Sequence, residues 1–294
     1  MTRKPRIAIV GAGSLATSLA PALRDAGYTI AEIAGRGSSA SHRRAQRLAR
    51  AVGAQAVTLE SAQLRAGLLW LCVPDREIRK AAASVTKLGK ERVRFAFHAS
   101  GALSSRELEP LRKVGIAVAS VHPLMTFVAA TRPPLAGVPF AVEGDSAAVR
   151  FARRIVRDLG GLSFRLSASR KAAYHAWATM TSPLLLAFLV TLEEAAAVAG
   201  LSRNDARRMS LPIVRQTLEN YTRLGPGNSF SGPIIRGDVD TVARHLAVLR
   251  NHPLPREVYV ALARSALRRL PLKNRKGLER LLNEARRRGY RTTY

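Results

Sequence analysis

The 294-residue chain contains a single cysteine, so it cannot form an internal disulfide. Cys72 lies within the apolar run 68–73, and a thiol in such a run is typically a buried core residue rather than a reactive one. Histidine or cysteine pairs with the separations of a zinc site are also lacking, so we expect no metal. The chemistry of a functional site must come from other residue types.

Acidic residues are scarce, because 20 aspartates and glutamates stand against 48 lysines and arginines, for a formal net charge of +28. This balance is typical of proteins that bind nucleic acids. Most of the charge, however, is arginine spread along predicted helix faces, and the one cluster is the tail 270–294, where the arginines at 286–288 close a helix-like stretch. We interpret the excess mainly as a solvated basic surface and do not expect nucleic acid as the partner. A nucleic-acid-binding tail is the minor alternative.

The sequence also lacks the roughly 18 uninterrupted apolar residues that would span a bilayer. Its most apolar stretch, 182–190, is followed by Glu193 and Glu194. The first six residues run directly into a predicted strand, which leaves no room for the apolar stretch of a signal peptide. We therefore expect a soluble, cytoplasmic protein without a membrane partner.

Through its first half the sequence alternates strand and helix patterns. Helical segments separate short apolar or β-branched runs, which lie at 4–11, 28–34, 54–59, 68–73, 92–97, 116–120, 140–143 and 162–166. Such alternation predicts an α/β fold with a mostly parallel, doubly wound Rossmann sheet.

Beyond residue 167 the strand patterns stop, and long helical patterns follow at about 170–199, 203–222, 238–250 and 255–269. The segment 224–238 is too rich in glycine and proline for a helix, and long enough to be functional. We predict a dinucleotide-binding domain at 1–166, an all-α domain for substrate binding and dimerisation at 167–272, and a basic C-terminal tail at 273–294.

The motif Gly11-x-Gly13-x-x-Ala16 follows the first strand and opens a helix, which is the context that dinucleotide binding requires. Gly11 permits the tight turn, Gly13 lets the backbone approach the pyrophosphate, and Ala16 allows close helix packing. Free N–H groups at a helix N-terminus favour phosphate there. The predicted cofactor-binding loop consists of Gly11, Ala12, Gly13, Ser14 and Leu15.

The end of the second strand favours NADPH over NADH. NAD-preferring sites place an acid about 20 residues beyond the last motif glycine, where it binds the ribose hydroxyl. This chain has Gly35-Arg36-Gly37-Ser38-Ser39 at that position. Arg36 and Ser38 would suit a 2′-phosphate, with Arg43 as a second cation.

The next strand ends are predicted to reach the same crevice. Val73 and Pro74 follow the fourth strand and are expected beside the nicotinamide, whereas Asp75 is expected to cap the next helix. His98, Ser100 and Gly101 follow the fifth strand, and His122 follows the sixth. Ser100 and Gly101 could offer a hydroxyl and an unobstructed N–H to a substrate oxygen. Either histidine alone is as readily structural as functional.

The helical half opens with Lys171 and His175 four residues apart, hence on one helix face. Reduction of a carbonyl or imine requires a hydride donor and a proton donor. A lysine can supply the proton once burial lowers its pKa. An exposed lysine at a helix start is the alternative interpretation.

These motifs together resemble a known family. His98-x-Ser100-Gly101, His122-Pro123-x-x-x-Phe127, Lys171-x-x-Tyr174-His175-Ala176 and the segment 225–238 are similar to Rossmann-like NADP oxidoreductases with a C-terminal domain of unknown function 2520. That family falls in the 6-phosphogluconate dehydrogenase-like superfamily, with ketopantoate reductase, the β-hydroxyacid dehydrogenases and pyrroline-5-carboxylate reductase. The likeness covers about residues 6 to 269.

The resemblance implies an NADP-binding Rossmann domain, an all-α domain and a homodimer formed through apolar helix 183–199. It also implies that Lys171 is catalytic, with Ser100 and His175 beside it. Substrate contacts would come from His98, Gly101, His122, Ser231 and Arg236. His175 stands where the β-hydroxyacid dehydrogenases carry asparagine, and Pro183 where asparagine is expected, so their chemistry does not transfer directly.

We therefore expect an NADPH-dependent reductase of a small carbonyl or imine, for example a 2-oxo acid such as ketopantoate. The departures at His175 and Pro183 motivate an alternative, a dinucleotide-binding sensor or scaffold without turnover. The weakest alternative is a nucleic-acid-associated protein that acts through its basic tail.

Overall fold

The computed structural model describes residues 4–35, 38–88, 93–129 and 131–289. The chain forms two compact units, Met1–Met180 and Thr181–Tyr294. The predicted domain boundary at 166/167 lies earlier than this division, so the helix that carries Lys171 belongs almost entirely to the first unit.

The first unit contains a sheet flanked by helices. Its strands are β1 (Ile7–Val10), β2 (Ile30–Gly35), β3 (Gln55–Thr58), β4 (Leu68–Leu71), β5 (Phe95–His98), β6 (Ala117–Pro123), β7 (Pro139–Gly144) and β8 (Leu162–Arg165). Its helices are α1 (Ser14–Asp25), α2 (Ser39–Val52), α3 (Asp75–Val85), α4 (Glu109–Arg112), α5 (Ser146–Asp158) and α6 (Lys171–Thr181).

The sheet has the order β3-β2-β1-β4-β5-β6-β7-β8. Strands β1 to β6 are parallel, β7 runs antiparallel to β6, and β8 is parallel to β7. The predicted doubly wound Rossmann fold is confirmed. Because the order reverses between β1 and β4, the loops after these strands border the crevice where such sheets bind ligands.

Apolar side chains are buried on both faces of the sheet and hold its central strands in place. Every residue of β1 and β4 is buried, as expected for central parallel strands covered by helices. On one face Trp70 meets Phe97 edge to face, with 5.4 Å between ring centroids. On the other face Leu69 and Leu71 pack with Ile78 of α3. The loops that follow these strands therefore start from a rigid base.

The described part of the second unit is all helical, as predicted. Its helices are α7 (Pro183–Val198), α8 (Arg203–Ser229), α9 (Pro233–Arg236), α10 (Val239–Val248), α11 (Pro253–Arg269) and α12 (Arg275–Gly289). The expectation that 224–238 contains no helix is wrong. Gly225, at φ 73° and ψ 170°, kinks α8, and Pro226 and Pro233 then open short helical segments, where a missing N–H is tolerated.

The segment 273–294, predicted as a basic tail, contains α12. The buried face of α12 carries Leu278, Leu282 and Ala285, which join Val260, Ala263 and Leu267 of α11 in one apolar cluster. Their spacing of four and three residues is that of an amphipathic helix. The run of arginines at 286–288 concealed this apolar stripe.

One helical stretch, Ala168–Val198, is long and apolar enough to cross a membrane by length and composition. Ser182 interrupts it with φ −126° and ψ −73°, and α7 begins at the following proline. A single stretch of this kind is weak evidence for a membrane span, because core helices of soluble proteins share these properties. Within the chain only 6% of its most apolar window is buried.

Truncating Leu282 to alanine should destabilise the second unit. Leu282 is 1% exposed, and loss of a buried leucine side chain costs about 2–5 kcal/mol. Urea denaturation followed by circular dichroism measures the effect. The matched control is Arg287→Ala on the exposed side of the same helix, where we expect a change within about 0.5 kcal/mol. Equal midpoints for both variants would show that α12 contributes no packing energy.

Candidate active site

The loop between β1 and α1 has the backbone that its glycines allow. Gly11 has φ +101°, and a Cβ added there would lie 2.3 Å from the carbonyl oxygen of Cys72. Only glycine tolerates both conditions. Gly13 is different, since a Cβ there would meet nothing within 4 Å. Gly11 is thus required by the fold, whereas Gly13 leaves open space beside the helix terminus.

The N-terminus of α1 offers its N–H groups to that space. Gly13 is the N-cap residue, its position supplies no side-chain cap, and the first turn carries no acid. The N–H groups that begin with Ser14 and Leu15 point out of the helix without a carboxylate competitor. Ala12 and Ala16 are buried and hold the turn against the sheet. This arrangement fits the pyrophosphate of a dinucleotide.

The end of β2 provides no acid for a ribose hydroxyl among the residues described. Glu32 of β2 is 4% exposed and accepts a hydrogen bond from the Leu64 N–H at 3.1 Å. Ser38 caps α2, because its Oγ accepts from the Ser41 N–H at 3.3 Å. The first turn of α2 is also free of acids, which favours an anion nearby. Arg36 lies outside the described residues, and its contact with a 2′-phosphate stays a prediction.

The end of β4 is linked to the end of β5. Val73 Cγ1 lies close to Gly11, and Pro74 is the N-cap residue of α3, so both border the glycine loop. Asp75 is the first residue of α3 and does not cap it. Its Oδ2 instead accepts a hydrogen bond from Ser100 Oγ at 2.8 Å. The predicted capping role of Asp75 is therefore wrong, and the aspartate joins two of the loops at this edge.

His98 and Ser100 organise the loop after β5. The Ser100 hydroxyl donates to Asp75 and accepts from the N–H groups of Ala102, at 3.2 Å, and Leu103, at 2.9 Å. His98 is fully buried, its Nδ1 accepts from the Ser100 N–H, and its Nε2 donates to the Ser104 carbonyl. Both side chains thus hold this loop in place, and the substrate contact predicted for His98 and the catalytic role predicted for Ser100 stay predictions.

Lys171 lies beneath these loops, with 2% of its surface exposed. Its Nζ donates to the carbonyl oxygen of Ser100 at 2.6 Å and to Ser120 Oγ at 2.7 Å. Ser120 in turn donates to the same carbonyl at 3.1 Å. The alternative of an exposed lysine at a helix start is excluded. Ser120 was missed, although it lies two residues before His122 and so on the same face of β6.

Burial lowers the pKa of Lys171 to about 8, while the charges of Glu143 and Asp75 partly oppose the decrease. Glu143 is itself held by the backbone N–H and the hydroxyl of Ser105. A lysine with such a pKa can gain or release a proton near neutral pH, as acid–base catalysis requires. None of the acids among the described residues forms an ion pair with this lysine at contact distance.

His122, Tyr174 and His175 form an aromatic cluster at the ends of β6 and α6. His122 Nδ1 and the Tyr174 hydroxyl are 2.8 Å apart. Burial, then the charges of Lys171, His175 and His98, lower the pKa of His122 to about 3. Burial raises the pKa of Tyr174 to about 12. Both groups are therefore neutral at physiological pH, and the phenol retains a proton that it can donate.

Gly101 makes this cluster possible. A Cβ added to Gly101 would lie 2.5 Å from His175 Cδ2 and 2.8 Å from His122 Nε2. A side chain at position 101 would thus displace one histidine or the other. The sequence predicted that His122, His175 and Gly101 share a site, and the structure brings them together. Tyr174 appeared in a motif, but its contact with His122 was not foreseen.

Two predicted substrate contacts, Ser231 and Arg236, lie in the second unit. Both side chains are exposed, and Arg236 ends the short helix α9. Their role in substrate binding stays a prediction. Across the described ranges, no group of three histidine, cysteine or acidic residues could hold a metal ion. The chemistry available at the site is therefore that of lysine, tyrosine, histidine and serine.

The family comparisons agree with this geometry. Residues 2–123 match the family model of a Rossmann-like domain, and residues 138–266 match the domain of unknown function DUF2520. No curated protein matches the sequence.

Three solved structures share the fold. A candidate NADP oxidoreductase from Bacteroides fragilis is 22% identical, with 89% of this chain and 97% of that chain covered and a TM-score of 0.73. Protein TM1727 from Thermotoga maritima is 24% identical over 93% and 98% of the chains, with a TM-score of 0.68. A reductive aminase from Aspergillus terreus, in complex with NADPH and ethyl-5-oxohexanoate, is 15% identical over 95% and 100%, with a TM-score of 0.62.

Valine substitutions at the two loop glycines should have opposite effects. Gly11→Val should unfold the first unit or lower its melting temperature strongly, because of the positive φ and the contact with Cys72. Gly13→Val should keep the melting temperature but weaken NADPH binding about tenfold or more, or 1.4 kcal/mol and above. Thermal unfolding and NADPH fluorescence titration measure the two effects. Unchanged NADPH affinity in folded Gly13→Val would contradict the phosphate-binding role.

Proposed function

We propose that this chain, which combines a Rossmann-like domain with a DUF2520 domain, is an NADPH-dependent oxidoreductase that reduces a small carbonyl or imine. The observation that carries the proposal is the buried Lys171 ammonium, held by Ser100 and Ser120 beneath the His122–Tyr174 pair. Two of the structural neighbours, the candidate NADP oxidoreductase and the reductive aminase in complex with NADPH, support the cofactor and the reaction class.

The glycine loop and α1 would hold the pyrophosphate of the cofactor. Its 2′-phosphate would lie near Ser38 at the N-terminus of α2, with Arg36 as the cation. Val73 and Pro74 would border the nicotinamide end. When bound, NADPH would supply the hydride, so the residues of the chain need only orient the substrate and deliver a proton.

Lys171 and the aromatic cluster would perform the acid–base chemistry. Lys171 is too buried to receive a bulky substrate, so it would stabilise developing negative charge and hold a proton near Ser120. The half-buried rings of His122 and His175 face Gly101, where a substrate atom could approach. Tyr174 would connect the buried lysine with the histidines that a substrate could approach. It follows Lys171 by about one helical turn, and its phenol hydrogen-bonds to His122.

Within this reaction class, a 2-oxo acid such as ketopantoate is the narrower proposal. Its carboxylate would be bound by Arg236, with Ser231 as a neutral partner. Reduction of an imine is the other possibility within the class, and the reductive aminase among the neighbours favours it. A sensor or scaffold without turnover is the alternative from another class.

Oxidation of NADPH across a panel of 2-oxo acids and cyclic imines tests the proposal. Turnover of a 2-oxo acid that is lost in Arg236→Ala would support the narrower version. Tight NADPH binding without turnover of the whole panel would favour the sensor. Failure to bind any nicotinamide cofactor would contradict both functions.

The rate should depend on the protonation of Lys171. Because burial lowers its pKa to about 8, the charged form predominates below pH 8, and the rate should decrease as the pH rises above that value. Lys171→Met should reduce kcat by about 10²–10⁴ and abolish the decrease. A pH profile of kcat for the best panel substrate measures both.

Arg170→Met provides the control for that substitution, because Arg170 is the preceding, exposed residue. It removes the same charge at the surface and should keep both the rate and the profile. A Lys171→Met enzyme with the full rate, or with the same decrease above pH 8, would contradict the catalytic assignment.

We also propose that two copies of the chain pair through the apolar surface of α7 and α8. This surface exposes a large group of apolar side chains: Leu184, Leu185, Leu186, Val190, Met209, Leu211, Ile213, Leu218, Tyr221 and Leu224. Monomeric soluble proteins seldom expose contiguous apolar patches of this kind. A second copy could cover it in a two-fold arrangement, in which each surface meets its equivalent.

Sedimentation velocity tests the dimer. The wild-type chain should sediment as a dimer, and Leu186→Glu/Ile213→Glu should sediment as a monomer because two charges would be buried at the interface. Leu254→Glu, on α11, is the control at a similarly exposed leucine and should remain dimeric. A wild-type monomer at micromolar concentration would contradict the proposal.

A further inference from the structure

Helix α11 has two faces of opposite character. Val260, Ala263 and Leu267 are buried in the core of the second unit. The outer face carries a stripe of small and basic residues, namely Ala261, Arg264, Ser265, Arg268 and Arg269. The spacing of three and four residues places the members of this stripe side by side on the helix.

Helix α12 completes a groove along this stripe. It packs against α11 through Leu278, Leu282 and Ala285, and it places Arg286 opposite the stripe. The resulting concavity, here named the arginine groove, has a volume of about 520 Å³. Four guanidinium groups and one serine hydroxyl supply its polar lining, and no acidic residue of the described chain lines it.

The general excess of arginine does not explain this groove, because the same helices form a second cavity with a different charge. That cavity, of about 480 Å³, is lined by Arg250 and Arg256 together with Glu257 and Glu284. Its two positive charges are matched by two negative ones. The helix pair thus places both of these glutamates on one side and leaves the arginine groove without an acid.

The groove concentrates like charges that repel one another. Arg264 and Arg268 lie four residues apart on one helix, a spacing at which like charges destabilise the helix. A few arginines elsewhere in the described chain are paired, for example Arg207 with Glu193 and Arg112 with Asp145. Within the described chain, Arg264, Arg268 and Arg269 form no such ion pair. A bound anion would remove this repulsion.

We propose that the arginine groove binds a chain of phosphate groups. The planar guanidinium donates paired hydrogen bonds that match phosphate oxygens, and those of Arg264, Arg268 and Arg269 can hold several phosphates in a row. Among the residues that the structure describes, no aromatic side chain lines the groove for stacking of a base, which favours recognition through the phosphates. Its volume falls in the range of small-molecule pockets, which favours a free oligophosphate over a nucleic-acid backbone.

Titration of the full chain with inorganic tripolyphosphate, followed by calorimetry, tests the proposal. Saturating NADPH is included so that phosphate-binding groups of the first unit are occupied. We expect one site per chain. Arg264→Ser/Arg268→Ser should weaken the affinity of this site for tripolyphosphate about tenfold or more and leave the affinity for NADPH unchanged. The site is independent of the proposed reduction, because a loss of NADPH binding would leave the groove unaffected.

Arg244→Ser/Arg250→Ser is the matched control, since it removes two exposed arginines of the same unit outside the groove. The affinity of this control variant for tripolyphosphate should stay within about twofold of the wild-type value. Such a change is much smaller than a tenfold loss, which corresponds to 1.4 kcal/mol. Circular dichroism confirms that both double variants are folded. Equal weakening by the two variants would show diffuse attraction only and overturn the proposal, as would absence of binding to the wild type.

Competition with a fluorescent single-stranded oligonucleotide distinguishes the two sources of phosphate. The groove holds a nucleic-acid backbone if the oligonucleotide binds the wild type tightly and tripolyphosphate displaces it. In that case its binding should also be lost in Arg264→Ser/Arg268→Ser. If tripolyphosphate binds in the groove and the oligonucleotide does not, the ligand is a free oligophosphate. Either result supports a phosphate-chain site. Oligonucleotide binding that persists in Arg264→Ser/Arg268→Ser, with no tripolyphosphate binding, overturns it.

Discussion

The Lys171 ammonium connects the parts of the first unit that form the candidate site. Buried ammonium groups are unfavourable unless their hydrogen bonds are satisfied. Here Lys171 donates one hydrogen bond to Ser100, just after β5, and one to Ser120, within β6. The contact ties α6 to the sheet and so positions Tyr174 and His175, which follow on the same helix. The positive charge also contributes to the low pKa values of His98 and His122. Together with burial, which is the larger cause, this ammonium favours the neutral forms of His98 and His122.

The loops at this edge depend on one another through hydrogen bonds rather than through bound groups. Asp75 joins the end of β4 to Ser100, Ser100 shapes the turn that includes Gly101, and Gly101 admits the rings of His122 and His175. The residues proposed to contact a substrate are thus supported by residues that hold the loops in place. The Ser100 hydroxyl, which looked reactive in the sequence, takes part in this support through its hydrogen bonds to Asp75, Ala102 and Leu103.

Local sequence rules predicted most of the first unit, because strand periodicity, glycine turns and helix caps depend on neighbouring residues. The strands, the sheet class and the glycine loop followed from such patterns. The patterns were less informative for segments whose structure depends on contacts with residues that are distant in sequence. The basic residues of 270–294 suggested a tail with a helix-like stretch, and its packing on α11 through apolar contacts was not predicted. The prolines of 224–238 suggested a loop, yet each one begins a short helix after a glycine.

The sequence by itself predicted the glycine turn, since glycine is the residue that suits the φ of Gly11, and open space lies beside Gly13. It also identified Lys171, His122 and His175 as members of one site, because parallel strands and a helix face bring them to one edge. The tertiary structure alone decided what these groups can do. Burial sets the pKa of Lys171, the contact with His122 gives Tyr174 a partner, and the packing of α12 on α11 collects four arginines in one groove, because each effect depends on distances between residues that are remote in sequence.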